Sequence, residues 1–148
     1  MKIKNLSIAV AEYILRLKLS ELSQVTRYKI ADFFGINKNY LSERFKKESG
    51  MYLSHFITME KMKRAEILLR SRPELTIKTI SRMVGCAKTA RFTQTFRSIY
   101  LLNPSRYRNI SPRIATCIRR EHPRQCLESC KNVRRVRGDK VRGDGAGK

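Results

Sequence analysis

Tryptophan is absent from the 148 residues, glycine occurs only 7 times and proline only 4 times. So few turn formers exclude a collagen-like or low-complexity chain. No apolar run approaches the ~20 residues needed to span a bilayer, which excludes a transmembrane helix. Acidic residues are scarce: 12 against 33 basic ones, a formal net charge of +21. No export signal is expected either. Met1-Lys2-Ile3-Lys4 leads into an apolar stretch, but Glu12 and Arg16 interrupt it and no small-residue cleavage site follows. Cys86, Cys117, Cys126 and Cys130 are therefore expected to be reduced thiols in a cytoplasmic protein. The chain has no P-loop, no dinucleotide-binding glycine pattern and no Gly-x-Ser-x-Gly elbow. His55 and His122 are its only histidines, and no two acids share an obviously apolar setting. No enzyme and no cofactor is expected.

What is present is enough apolar residue, 41%, for a core, and a charge that calls for a polyanionic partner. Nucleic acid attracts such a surface by counterion release, and anionic lipid attracts it through the same field. All six Tyr and six Phe lie between Tyr13 and Tyr107. Residues 109–148 carry 11 basic and 4 acidic side chains, and four of the seven glycines fall in the last eleven positions. A segment without aromatics buries too little apolar area to offset its ordering entropy. The expected division is a folded body, 1–108, with a net charge of +14, and a disordered basic tail, 109–148, with +7.

The body reads as all-α. Leu6, Val10, Ala11, Ile14, Leu15 and Leu17 recur at three- and four-residue spacing, which predicts one helix from about Leu6 to Leu19. Thr26 is an N-cap for a helix running to Gly35, and a further helix from near Asn37 buries Leu41 and Phe45 before Gly50. A long helix follows over about 53–70, with Phe56, Ile57, Met59, Met62, Ala65, Leu68 and Leu69 as its buried stripe, and Pro73 stops it.

Part of this pattern occurs twice. Ile30-Ala31-x-x-Phe34-Gly35 returns fifty residues later as Ile80-Ser81-x-x-Val84-Gly85. Beyond the glycine the offset is fifty-one, so that Leu41, Phe45 and Phe56 match Phe92, Phe96 and Tyr107. Each copy has the form of a helix-turn-helix: a short helix, a glycine able to take positive φ, and a second helix with an inward i, i+4 apolar pair. The first unit is expected over about 26–48 and the second over about 76–100. An 18-residue linker spans about 27 Å, and successive major grooves on one face of a duplex lie roughly 34 Å apart. One chain could thus hold two recognition helices in neighbouring grooves without dimerising. Tyr40 and Tyr107, by their spacing, are expected to be core or half-buried packing residues and not stacking platforms for bases.

These residues resemble the DNA-binding domain of the AraC/XylS family of bacterial transcription regulators, over about Leu6 to Arg108. The first unit is similar in Ile30-Ala31-x-x-x-Gly35-Ile36-x-x-x-Tyr40-Leu41-x-x-x-Phe45-Lys46, and the linker in Gly50-Met51, Phe56-Ile57, Met62, Ala65 and Leu68-Leu69. The second unit is similar in Ile77-x-x-Ile80-x-x-x-Val84-Gly85, in Phe92-x-x-x-Phe96-Arg97 and in the closing Pro104-Ser105-x-Tyr107-Arg108. Departures are Lys61 for the linker arginine, Ser81 for alanine, Cys86 for an aromatic, and Glu43 and Gln94 for the mid-helix arginines. Leu101 replaces the glycine that ends the second recognition helix, and a leucine in the left-handed region is strained. That turn is expected to shift, or the second lobe to be marginal.

The resemblance implies base-facing roles for Lys38, Asn39, Ser42 and Glu43 in the first unit and for Lys88, Thr89, Arg91, Thr93 and Gln94 in the second. Their chemistry agrees in part: Asn39 or Gln94 can pair with adenine, Arg91 with guanine, and Glu43 can accept from cytosine N4. Lys46, Lys47 and Arg97 are placed for phosphates. It further implies a sequence-specific regulator of promoter DNA, usually an activator that contacts RNA polymerase; a monomer is expected from the linker's reach, and the nucleoid as its location. Neither a membrane nor a small-molecule effector is expected as a partner. The alternative is a nonspecific architectural nucleic-acid binder driven by charge alone. In the tail, Cys117, His122, Cys126 and Cys130 give C-x4-H-x3-C-x3-C, but the spacing matches no zinc pattern and no metal is expected. The Arg-Gly-Asp at 137–139 and again at 142–144 is read as part of a flexible basic extension, not as an adhesion motif.

Overall fold

The computed structural model describes residues 5–110. The possible metal ligands of the tail, its Arg-Gly-Asp repeat and its expected flexibility lie outside the described residues, save for Asn109 and Ile110. Among the described residues the chain is all-α, in the order α1 (Leu6–Arg16), α2 (Leu19–Ser23), α3 (Arg27–Phe34), α4 (Lys38–Ser49), α5 (Leu53–Ser71), α6 (Ile77–Met83), α7 (Thr89–Tyr100) and α8 (Pro104–Arg108).

The helix expected from Leu6 to about Leu19 ends at Arg16, and a further short helix, α2, follows it. Leu17 is extended (φ −61°, ψ 138°), and α2 starts where the Glu21 carboxylate accepts a hydrogen bond from the Lys18 backbone N–H at 2.8 Å. The carbonyls freed at the end of α1 find a partner on another element. Arg64 of α5 donates to Leu15 and Leu17 carbonyl oxygens at 3.0 and 3.3 Å. Helix ends need such partners, and here the partner is distant in sequence.

The two repeat units share their turn chemistry bond for bond. Thr26 Oγ1 accepts from Lys29 N–H to open α3, and Thr76 Oγ1 accepts from Thr79 N–H to open α6. After α3, Gly35 N–H donates to Asp32 and Ile36 N–H to Ala31; after α6, Gly85 N–H donates to Arg82 and Cys86 N–H to Ser81. Both glycines are left-handed, at φ 63° and 82°, as this double closure of a helix end requires. Ser81 replaces alanine without an unsatisfied hydroxyl, since its Oγ donates to the Cys86 carbonyl at 2.7 Å. α4 and α7 are both 12 residues long, fifty-one positions apart. The first turn of α5 and α8 occupy equivalent places, so each unit is a three-helix set.

Leu101 ends α7 in the left-handed region at φ 60°, the one non-glycine there among the described residues. Its N–H donates to the Arg97 carbonyl at 2.8 Å, as Gly50 N–H does to Lys46 at 2.8 Å. The turn has not shifted. The turn, strained by roughly 1–2 kcal/mol, joins the residues of an aromatic cluster in which the Phe96 ring centre lies 4.5 Å from that of Tyr100 and 5.4 Å from that of Tyr107.

α5 does not bury one stripe. Leu53, Ile57 and Glu60 are buried in its first half, and Met62, Ala65, Glu66 and Leu69 in its second. At about 100° per residue these two sets face nearly opposite directions. The first faces the core of the first lobe, made by Leu6, Val10, Ile14, Leu22, Val25, Ile30, Leu41 and Phe45. The second half packs on α6 and α8, where Ile80, Val84, Phe92, Phe96 and Tyr107 are fully buried. Tyr107 donates its hydroxyl hydrogen to Glu66 Oε1 at 2.9 Å, which places a carboxylate in the second core.

Candidate nucleic-acid interface

In α4 the buried pair Leu41 and Phe45 turns the opposite face outward. Asn39, Glu43, Lys46 and Lys47 are exposed there, while Lys38 and Ser42 are half-buried on its flank. The Ser42 hydroxyl donates to the Lys38 carbonyl at 2.9 Å, so its hydrogen is used within the helix. Lys38 Nζ sits 4.6 Å from the centre of the Tyr28 ring, and the Arg27 and Lys38 cations hold the Tyr28 phenol below its usual range. Lys46 Nζ donates to Tyr52 Oη at 2.8 Å, lowering that phenol too. A cation held over an exposed ring loses less side-chain entropy when a phosphate arrives.

The other flank of α4 is committed to structure. Arg44 Nε pairs with Glu48 Oε1 at 2.6 Å and Arg44 Nη1 donates to Tyr40 Oη at 2.9 Å. Glu48 Oε2 accepts from the Ser7 backbone N–H at 2.8 Å, at the start of α1. The guanidinium first, and the amide second, hold the Glu48 carboxyl at about 2. Tyr40, expected to be core or half-buried, is not in the core: it is 46% exposed, because Leu41 and Phe45 occupy the inward face and Tyr40 stands beside Arg44. Tyr107 is fully buried, as expected.

In α7 the inward residues are Phe92, Phe96 and Tyr100. Arg91, Gln94 and Arg97 are exposed, Thr89 and Thr93 half-buried, and Lys88 exposed at the N-cap position with no side-chain cap bond. Among the described residues neither Arg91 nor Arg97 has an acidic partner within salt-bridge distance. A feature of the sequence explains this: from Leu75 to Arg120 there is no Asp or Glu at all. The second unit is therefore uniformly cationic, whereas the first interleaves Asp32, Glu43 and Glu48 with its bases. Charge counted unit by unit, not over the whole body, reveals that asymmetry.

The two units meet where α2 packs on α6, and backbone approaches backbone closely there. A Cβ added at Gly85 would lie 2.1 Å from the Ser23 carbonyl oxygen, whereas one added at Gly35 would meet nothing within 4 Å. Lys61 of α5 donates to that same Ser23 oxygen at 3.2 Å. Burial lowers the Lys61 ammonium pKa, partly countered by Cys86, and burial raises the Cys86 thiol against the pull of Lys61 and Arg91. Among the described residues no helix is long and apolar enough to cross a membrane.

Comparison with known proteins agrees with this geometry. Residues 30–110 match the family model described as "Helix-turn-helix domain". The xylose operon regulatory protein of Escherichia coli (strain K12) is 33% identical over 86 residues, 58% of this chain and 22% of that protein. The Msm operon regulatory protein of Streptococcus mutans serotype c is 30% identical over 79 residues, 53% of this chain and 28% of that protein. The chain thus spans about a quarter of the length of these curated relatives. Among solved structures, the C-terminal domain of AraT, a response regulator from Geobacillus stearothermophilus, superposes with a TM-score of 0.62 at 29% identity. That match covers 72% of this chain and 88% of that one. With its duplicated turn chemistry and these relatives, the chain belongs to the helix-turn-helix family of AraC/XylS-type DNA-binding transcription regulators.

Proposed function

We propose that this chain is a sequence-specific reader of double-stranded promoter DNA that works as a monomer and activates transcription through contact with RNA polymerase. Residues 1–108 are the reading domain, and the basic segment 109–148 adds nonspecific phosphate contacts. The carrying observation is the equivalence of α4 and α7: two 12-residue helices in the same local frame, each with an exposed polar face. In this reading α4 and α7 enter two successive major grooves, about 34 Å apart. Asn39 and Glu43, and Arg91 and Gln94, face base edges. Lys38, Ser42, Lys88, Thr89 and Thr93 border the same faces, and Lys46, Lys47 and Arg97 meet phosphates.

Selection of bound duplexes from a random pool, at moderate salt and in excess competitor, tests the reading. The expected product is a bipartite site, its halves one helical turn apart, preferred over random DNA by ~10³-fold or more. Enrichment of one short patch overturns the two-groove arrangement. No enrichment, with a steep salt slope, favours the architectural alternative that the acid-free second unit suggests.

A further inference from the structure

We propose that α1 and α2 form a brace whose seat, the Ser23 carbonyl lodged between Gly85 and Lys61, sets the half-site spacing this chain accepts. The inference rests on the two-groove reading above and adds to it the residues that set its geometry.

α5 packs into both cores through opposite faces and is the first connection between the lobes. The brace gives them a second one. At one end α1 is tied to the recognition helix α4 through Ser7 N–H and Glu48. Midway, Arg64 of α5 holds the carbonyls of Leu15 and Leu17 at the bend between α1 and α2. At the other end Ser23, the last residue of α2, abuts Gly85, in the turn that precedes α7. The approach is so close that no side chain fits at position 85, and Lys61 pins the same oxygen from the linker. The path α4–α1–α2–Gly85–α7 and the path α4–α5–α6–α7 therefore close a ring. Rotation of one lobe must disturb the packing of α2 on α6, and with it the Ser23 seat, where backbone meets backbone. Ser81 stiffens the turn from within by bonding Cys86 on both its backbone and side-chain atoms. Lys61 and Gly85 act as positioning residues: they are not assigned contacts with DNA, yet they fix where α7 lies relative to α4.

The test uses the full chain and duplexes carrying the selected halves at their preferred separation, one base pair closer, one and two base pairs further apart, and each half alone. Each added base pair moves a half-site by about 3.4 Å and roughly a tenth of a turn. Wild type is expected to lose about tenfold or more in affinity per base pair of displacement, about 1.4 kcal/mol. Lys61→Met and Gly85→Ala are expected to bind each isolated half as wild type does. Their loss per displaced base pair should fall to about threefold, or their optimum should move, while Lys61→Arg keeps the wild-type profile. Should Gly85→Ala not show a cooperative melt, Lys61→Met carries the comparison. Variants that fold, bind the halves and retain the wild-type spacing profile overturn the brace alone. A wild-type profile that is flat with spacing overturns the two-groove reading, and the brace with it.

Discussion

Gly35 and Gly85 occupy equivalent turns, both left-handed, yet replacing them with alanine is expected to have unequal effects. Each substitution forces an L-residue into positive φ, at a cost of roughly 1–2 kcal/mol, and each gains the same small benefit from a stiffer unfolded chain. Those contributions cancel in the comparison. What remains is the surroundings: a Cβ at 35 meets open space, while at 85 it lies 2.1 Å from Ser23 O, 2.8 Å from Ser23 C and 3.0 Å from Ser23 Cα. Backbone cannot rotate aside as a side-chain tip can, so α2 must retreat by about 1 Å, an overpacking cost of about 1–3 kcal/mol. The retreat also lengthens the Lys61–Ser23 bond, worth on the order of 1 kcal/mol at this half-buried site. Gly35→Ala is therefore expected to destabilise by about 1–2 kcal/mol and Gly85→Ala by about 3–6. For a domain near 100 residues the difference corresponds to roughly 10–20 °C in Tm. Urea denaturation of both variants, read at matched m-values, measures it. A difference below about 0.5 kcal/mol would refute the claim that the Ser23 contact is as tight as the structure has it.

Leu101 offers a converse case, since its φ of 60° suits glycine. Leu101→Gly is expected to be more stable than Leu101→Ala by about 1 kcal/mol, the reverse of their order in a helix interior, as thermal melts of the two variants will show. Glu48 governs part of the acid limb. Its folded carboxyl is depressed to about 2, so its contribution is fully present above the unfolded value near 4.5 and is lost as pH falls toward 2. Glu48→Gln should consequently flatten the stability–pH curve between pH 5 and 2, and an unchanged curve counts against the Arg44 and Ser7 bonds. On DNA, Arg91→Ala should cost about 1–3 kcal/mol and relax preference at one base position, whereas Lys47→Ala should weaken all sequences alike and lower the salt slope by about 1. Binding isotherms over a salt series separate the two patterns.

Much of the fold was legible because it is written in local chemistry. Thr26 as N-cap, Gly35 and Gly50 as terminators, and the fifty-one-residue echo of Leu41 and Phe45 in Phe92 and Phe96 all act within a turn or two of themselves. The outward faces of α4 and α7 follow from those inward pairs by helical geometry alone. Reading the linker as one stripe failed for a physical reason: a helix that serves two cores buries different faces at its two ends, and their apolar residues blur into a single broad pattern. Tyr40, outside the core but beside Arg44, shows a related limit: spacing marks a residue as near a face but not which neighbour claims it.

Local periodicity and capping thus determined α3, α4 and α5, the repeat and the outward faces of α4 and α7, because each depends on residues a few positions apart. The break at Leu17, the anchoring of Arg64 on α1 carbonyls and the seating of Ser23 against Gly85 join residues 38 to 62 positions apart through backbone oxygens. Every residue has such an oxygen, so no side-chain pattern announces which one will be used. That choice arises when the lobes pack, and with it the relation of one reading helix to the other.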